Sequence, residues 1–336
     1  MRRAVIRTVG VLCCAGTGAV TYWAWPEYAC VARHGQLHGE PHTFDVSSLR
    51  RVGGGSVLHN PGVQVFPDLL DPGEAASLLA EVKDLVHRFG INLITPHAAA
   101  MYRWQQSYLG KGAPPVNMLR VTGRPEAVGQ RLAPWGYAEE LDEVSLPPQL
   151  KALVARVRSR CAACGQMLGP LRDVTLNARH SGFLRLDPHI DPAADGEHVF
   201  ILGLDSDTVL TLSPARALRV WQALQALWAA LTLRDEREAV AWAADHSWSP
   251  LDIDVLARAR SLVHLSGPAR WTWTHGTRLG SRVAGQGSGL HDWWGTRDQV
   301  ILRSSERHSV VLAFGEAAAG QKGQLARHSH LSVHAR

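Results

Sequence analysis

Apolar positions recur along this chain at two spacings, and the change from one to the other divides it. Ala75, Leu78, Leu79, Val82 and Leu85 follow one another at intervals that suit a helix with one buried face. Asp71-Pro-Gly-Glu supplies its start, with Asp71 as N-cap and Pro72 in the first turn. A second helix is predicted over 147–168. From Val174 onward the pattern becomes short β-rich runs, over 174–177, 183–186, 197–204 and 208–212, with Asp205-Ser-Asp207 as a hairpin turn. Helical spacing returns over 214–231, through Val220, Leu224, Leu227 and Leu231, and continues to about Arg258 as an insertion. Strands resume over 261–265 and 271–275, around a turn at 266–270, and again over 309–314. Residues 91–147 hold Pro96, Pro114, Pro115, Pro125 and Pro134 and read as a long structured loop. Many short strands with helices on the N-terminal side predict a mainly β protein with flanking helices (α+β) around a double-stranded β-helix, or jelly roll.

The pattern sets domain limits. Arg2, Arg3 and Arg7 precede an apolar run over 9–25, and the first acidic residue is Glu27. A basic, acid-free and then apolar order marks 1–27 as a targeting segment. The run is shorter than the roughly 20 residues of a bilayer span and is broken by Gly10, Gly16 and Gly18. A mitochondrial presequence is therefore the first expectation, with an N-terminal membrane anchor as the alternative and a secretory signal third. Residues 28–62 are expected to be linker, with Gly53, Gly54 and Gly55 near its end. One folded domain then spans 63–320, with the helical insertion at 214–258 and a tail over 321–336.

Composition adds little. Hydrophobic residues make up 46% and charged residues 19%, as in ordinary globular chains. The formal charge of +5 is compatible with an anionic partner such as nucleic acid. No dense Lys/Arg cluster lies in the body of the chain, so solubility and targeting explain the excess equally well. Cys13, Cys14, Cys30, Cys161 and Cys164 are too few and too scattered for a disulfide framework. Cys161 and Cys164 form C-x-x-C without a second pair, which suits two small helix residues better than half a zinc site.

The chemistry lies in the strand-rich half. In His189-Ile-Asp191 an imidazole and a carboxylate stand two residues apart, so on an extended chain both point to one face. His275, at the end of a later strand, offers a third ligand. Two His and one carboxylate leave three coordination positions open, the facial arrangement that suits iron(II) and oxygen. Arg307 and Ser309 share one face of the last strand. A guanidinium inside a barrel needs an anion, which a carboxylate ligand would provide through a bidentate pair; a surface acid such as Glu306 is the competing partner.

Several stretches together resemble the AlkB family of Fe(II)/2-oxoglutarate dioxygenases. Pro188-His-Ile-Asp191, Gly196-Glu-His-Val and Leu204-Asp-Ser-Asp-Thr-Val-Leu look like its metal strand and following hairpin. Leu265-Ser-Gly-Pro-Ala-Arg-Trp-Thr-Trp-Thr-His-Gly276 looks like the hairpin that ends in the distal His, and Arg307-His-Ser-Val-Val-Leu like the cosubstrate strand. Leu176-Asn-Ala-Arg-His-Ser-Gly-Phe-Leu184 is similar to the branch that contains the mitochondrial homologue. The resemblance covers about 63–316.

What the resemblance implies is a dioxygenase using Fe(II), 2-oxoglutarate and O2 for C–H hydroxylation or oxidative N-demethylation. His189, Asp191 and His275 match the iron ligands, Arg307 the partner of the distal carboxylate, and Asn177 an Asn near the cosubstrate. The chain also departs from the family. Ala313 stands where a second Arg is usual, leaving Arg179 or Arg185 as candidates for the C1 carboxylate. Arg179 itself replaces a usual Tyr, and the helical insertion is longer than in the family. The implied substrate is methylated nucleic acid, or protein in the case of a hydroxylase without nucleic-acid activity. A non-catalytic binding module that keeps the jelly roll is the remaining alternative. A flipped base needs an aromatic wall, for which Trp104, Trp135, Trp271, Trp273, Trp293 and Trp294 are candidates, with core packing the competing role for Trp271 and Trp273. The Gly-rich stretch 285–294 is expected to be a mobile lid.

Overall fold

The computed structural model describes residues 46–89, 91–92, 117–121, 143–180, 189–214, 251–277, 281–282, 289–304 and 306–317. The first helix, α1 (Pro72–Phe89), starts as its sequence predicts. Asp71 Oδ1 accepts the amide of Glu74 at 2.8 Å, and Glu74 Oε2 accepts the amide of Asp71 at 3.0 Å, a reciprocal capping box. Its buried stripe is Ala75, Leu78, Val82, Leu85 and Val86. Helix α2 (Pro148–Ala163) has Pro147 at its N-cap and no cap from its own side chains. Instead Glu81 of α1 reaches across and accepts the amides of Gln149 and Leu150, at 3.1 and 2.9 Å. A carboxylate there meets both the free N–H groups and the positive end of the helix dipole. Helix α2 ends short of the expected 168. Gly165 takes φ +76°, and the amide of Gln166 turns back to the carbonyl of Cys161. This left-handed stop frees Leu168 to begin a strand.

The strands are β1 (Leu49–Arg51), β2 (Val63–Phe66), β3 (Ile91–Asn92), β4 (Asn117–Val121), β5 (Leu168–His180), β6 (His198–Gly203) and β7 (Thr208–Pro214). After them come β8 (Ile253–Ala257), β9 (Leu262–Leu265), a five-residue helix α3 (Gly267–Trp271), β10 (Trp273–Thr277), β11 (Ser281–Arg282), β12 (Gly289–Trp294), β13 (Thr296–Ser304) and β14 (Glu306–Glu316). One sheet runs β2-β9-β6-β14-β5-β4-β3, a second β1-β8-β7-β10, and a third β11-β12-β13. His189 bridges to His275 beside β10 and so adds a rudimentary strand to the second sheet. Followed along the chain, β5, the His189 segment, β6, β7, β8, β9, β10 and β14 wind back and forth between the first two sheets. That winding is the double-stranded β-helix the strand pattern predicted.

Two apolar layers flank the large sheet. Even-numbered residues of β14 (Val310, Leu312, Phe314) pack with Phe200, Leu202 and the buried stripes of α1 and α2. Phe200 meets Phe314 edge-on, with centroids 5.6 Å apart. Odd-numbered residues face the other way. Ala313 packs with Val199, Val263, Leu212, Val255 and Ile253, and Ile201 and Val311 lie against the same cluster. This second layer is the inside of the jelly roll.

Several expected boundaries differ. Leu49–Arg51, within the stretch expected to be linker, form β1 and pair with β8. The expected loop 91–147 contributes β3 and β4 to the large sheet. The helical reading that continued to Arg258 gives way to β8, where Ile253, Val255 and Ala257 face the jelly-roll interior and Asp252 and Asp254 alternate with them. The expected turn at 266–270 closes as α3. The strand expected over 271–275 is β10, shifted by two residues. The expected lid is a strand from Gly289, paired with β13. The segment 183–186, the insertion over 215–250, the apolar run 9–25 and the tail lie outside the described residues. Among those described, no helix is long and apolar enough to cross a membrane.

Candidate metal centre

His189 and His275 sit opposite each other and exchange both backbone hydrogen bonds, at 3.0 and 2.8 Å. Paired residues of this kind place their side chains on one face. On its other edge His275 opposes Leu212, which opposes Ile253, and both belong to the interior cluster. The two imidazoles therefore enter the jelly roll side by side, with centroids 4.5 Å apart. Asp191, two residues beyond His189, turns its carboxylate between them. Oδ1 lies 3.4 Å from His189 Nε2 and Oδ2 lies 3.5 Å from His275 Nε2. One ligand atom from each of the three falls within 4.8 Å of the others.

The electrostatics suit a cation. Burial opposes ionisation of Asp191, but His275, the hydrogen bond from His189 and the nearby charge of Arg270 outweigh it. The carboxyl is held well below the usual carboxylate range, so it is ionised at neutral pH. Asp191 Oδ2 is buried without a hydrogen bond, a costly position for a carboxylate oxygen. Two imidazoles and this oxygen converging on one point are a donor set that fits a divalent metal.

The loop leaving Asp191 is held against the sheet. A short 3-10 turn (Ala193–Asp195) leads to Gly196, whose φ of +89° and ψ of −161° suit glycine. A Cβ there would lie 2.6 Å from the carbonyl oxygen of Phe314 and 2.8 Å from Gly315 Cα. Arg270, 2% exposed, donates to three carbonyls of this loop. Arg270 lies in the hairpin stretch that ends in His275, and the resemblance gives it no role. Its signal was an arginine in a stretch otherwise destined for burial.

The other predicted site residues fall along β14 and β5. Arg307 is 8% exposed and Ser309 2%. They share the face of Val311 and Ala313, so both belong to the interior side of the strand. Ser309 opposes Asn177 on one side and Gly203 on the other. Asn177 is buried, and its Oδ1 lacks a hydrogen bond among the described residues. Arg179 stands opposite Arg307 in the same ladder. Ala313, 1% exposed, is part of the apolar packing where the resemblance implied a second guanidinium.

His189, Asp191 and His275 occupy the end of the jelly roll where β7 finishes and β6 begins. Arg307 occupies the start of β14, beyond the partner of Gly203 at the end of β6. An elongated dianion lying along the interior would run from one to the other. His308, between Arg307 and Ser309 but on the opposite face, is locked by Asp205 of the β6–β7 turn. Its amide donates to Asp205 Oδ1 at 2.9 Å, and its Nδ1 lies 2.6 Å from Oδ2.

The tryptophans divide. Trp271 is buried and donates to Glu197 at 2.9 Å. Trp273 packs against the interior cluster. Trp294 is covered by Arg50, whose Cζ lies 4.5 Å from the ring centroid. Trp293 is half-buried on β12, and Trp104 and Trp135 lie outside the described residues. Cys161 is buried and Cys164 exposed, both as free thiols.

No protein-family model matches the chain, nor does any curated protein. Solved structures do resemble it. A prolyl hydroxylase from Trichoplax adhaerens, in complex with a hypoxia inducible factor oxygen degradation domain peptide, is 11% identical, over 79% of this chain and 87% of its own, with a TM-score of 0.41. HygX from Streptomyces hygroscopicus, with nickel and 2-oxoglutarate bound, is 14% identical over 76% of this chain and 83% of its own, with a TM-score of 0.37. OsALKBH1 is 13% identical over 77% of this chain and all of its own, with a TM-score of 0.39. At these identities the likeness is one of fold alone.

Proposed function

We propose that this protein is an iron(II)- and 2-oxoglutarate-dependent oxygenase of the AlkB-like type, acting on a C–H bond by hydroxylation or oxidative N-demethylation. One observation carries the reading: His189, Asp191 and His275 converge inside a jelly roll, with a buried oxygen of Asp191 unbonded between two imidazoles. A facial set of two His and one carboxylate leaves room for a chelating cosubstrate and for O2.

Each remaining residue has a task in this reading. Arg307 receives the distal carboxylate of 2-oxoglutarate through its paired N–H groups, and the Ser309 hydroxyl donates beside it. Asn177, opposite Ser309, can rotate its amide to present N–H to the same anion. Arg179 stands opposite Arg307, so its proposed share in cosubstrate binding lies at the distal end rather than at the C1 carboxylate that Ala313 leaves without a guanidinium. When bound, iron and 2-oxoglutarate supply the oxidation: O2 and cosubstrate are consumed, succinate and carbon dioxide leave, and one oxygen atom enters the substrate C–H bond. The apolar interior of Val199, Ile201, Val311 and Ala313 keeps bulk water from that reaction.

The substrate is proposed to be a methylated nucleic acid or a protein. A protein hydroxylase is supported by the lack of a dense Lys/Arg cluster near the motifs. Formaldehyde release from methylated oligomers, set against mass spectrometry of protein substrates with wild-type and His189→Ala enzyme, separates the two. The basic, acid-free N-terminus supports mitochondrial import, with membrane anchoring through 9–25 the alternative. A second reading has its own observation: Ala313 fills the second guanidinium's place with apolar packing, as in a jelly-roll binding module without catalysis. Succinate production with iron, ascorbate and 2-oxoglutarate decides against that module, and its absence supports it.

The direct test is an anaerobic titration of purified protein with Fe(II) and 2-oxoglutarate. A visible metal-to-ligand charge-transfer band is expected in the wild type and absent in His189→Ala. A wild type that binds iron but gives no band would refute chelation by the cosubstrate.

A further inference from the structure

We infer that Arg270 is a positioning residue for the metal centre, fixing the backbone that carries Asp191 before any metal arrives. This rests on the reading that His189, Asp191 and His275 hold a metal. The guanidinium spreads over one loop. Nε donates to the carbonyl of Gly196 at 2.9 Å, Nη1 to that of Asp191 at 2.9 Å, and Nη2 to that of Pro192 at 2.6 Å. One rigid planar group therefore ties both ends of the segment from Asp191 to Gly196. The Asp191 carbonyl and its ligating carboxylate branch from the same Cα, so fixing the peptide fixes the origin of the ligand.

The clamp is itself held. Arg270 lies over the ring of Trp271, with Cζ 4.1 Å from the centroid, and Trp271 Nε1 is bonded to Glu197 Oε2 at 2.9 Å. Glu197 follows directly on Gly196, so the clamp grips the loop and the loop's next residue grips the clamp. Arg270 also stands five positions before His275, and α3 and β10 join them with a single residue between. The short helix leading into the strand that supplies the third ligand thus carries the group that sets the second. Separate chain segments are held to one another at the point where both must meet an ion.

Desolvating a guanidinium is costly, and here three carbonyl acceptors offset that cost. A positive charge beside a cation site opposes metal binding. Positioning and electrostatics therefore pull in opposite directions, and that gives the test its sign. Groups that orient metal ligands are worth about 10–100-fold in affinity.

The experiment is a Co(II) titration of the full-length protein, followed by visible absorption, for wild type, Arg270→Gln, Arg270→Lys and Trp271→Phe. Circular dichroism and thermal melting of the metal-free proteins accompany it. The expected result is at least tenfold weaker Co(II) binding with an altered d–d spectrum in both Arg270 variants. Trp271→Phe, which keeps a ring face but loses the bond to Glu197, is expected to fall between them and wild type. If Arg270→Gln does not fold, Arg270→Lys decides, because an ammonium lacks the fork but can still fill the site. Lower melting temperatures with Co(II) affinity within twofold of wild type would make Arg270 a structural residue only and overturn the inference. Tighter binding would overturn it as well, with electrostatics outweighing position. Wild-type protein that binds no Co(II) would instead remove the metal reading beneath it.

Discussion

Gly196→Ala probes the junction on which the loop carrying Asp191 depends. The glycine adopts φ +89° and ψ −161°, a conformation that costs an L-residue about 1–3 kcal/mol. The added methyl would also meet Phe314 O at 2.6 Å, Gly315 Cα at 2.8 Å and Gly315 N at 3.0 Å. These are backbone atoms of β14, which pairs with β5 on one side and β6 on the other. They do not yield as a flexible side chain would, so the loop must lift. Lifting it stretches the bond from Arg270 to the Gly196 carbonyl, a further loss of about 1–3 kcal/mol for a charged donor. The sum is roughly 2–6 kcal/mol, which lowers the melting temperature of a domain this size by about 4–12 °C. Gly165→Ala is the matched control. Gly165 also has positive φ, at +76°, but its Cβ would meet nothing within 4 Å, so only the backbone cost of about 1–2 kcal/mol remains. Thermal and urea melts of both variants give the comparison, and Co(II) titration shows whether Asp191 moved. A Gly196→Ala protein no less stable than Gly165→Ala, with unchanged Co(II) affinity, would refute a loop pinned to β14.

Arg307→Met should leave Co(II) binding within about twofold while weakening 2-oxoglutarate binding 100-fold or more, since it removes a buried charge-assisted pair; isothermal titration of each ligand checks both. Asp205→Asn should cost about 1–3 kcal/mol at neutral pH by urea melting, because it weakens the lock on His308. Burial opposes ionisation of Asp205, but its hydrogen bonds with His308 hold its pKa below the ordinary value. A depressed folded pKa gives stability that is present above about pH 4 and lost as pH falls through the folded value. The wild type should thus lose more stability on acidification than Asp205→Asn, and parallel losses would count against the lock. Burial, and then neighbouring Cys164, push the Cys161 thiol up to about 12, so iodoacetamide at pH 8 should label exposed Cys164 in the native protein and reach Cys161 only on unfolding; peptide mapping reads the difference.

Short-range physics was legible in the order of residues. Asp71 and Glu74 cap a helix because side chains three apart reach each other's amides. His189 and Asp191 share a face because strand side chains alternate, and the strands around Asp205-Ser-Asp207 followed from apolar runs broken by a turn. Errors arose where a local pattern was carried too far or met tertiary packing. The helical spacing of 214–231 does not extend through Asp252-Ile-Asp-Val255, whose period-two alternation is that of a strand. In this strand Ile253, Val255 and Ala257 fill the jelly roll, while Asp254 accepts from Thr211 at 2.7 Å and from the Gly295 amide at 2.8 Å. Leu49–Arg51 paired with that strand, since an open edge recruits whatever chain can reach it.

The sequence alone determined which residue types could bind a metal and which faces would be apolar, because both depend on neighbours a few positions away. Only the tertiary structure decided that His275 stands opposite His189, that Arg307 is buried on the interior face, and that Arg270 grips the carbonyls of the Asp191 loop. Those relations join positions up to about a hundred residues apart. They exist only once two sheets have closed on a shared core, and no pattern of spacing along a chain encodes which strand edges will meet.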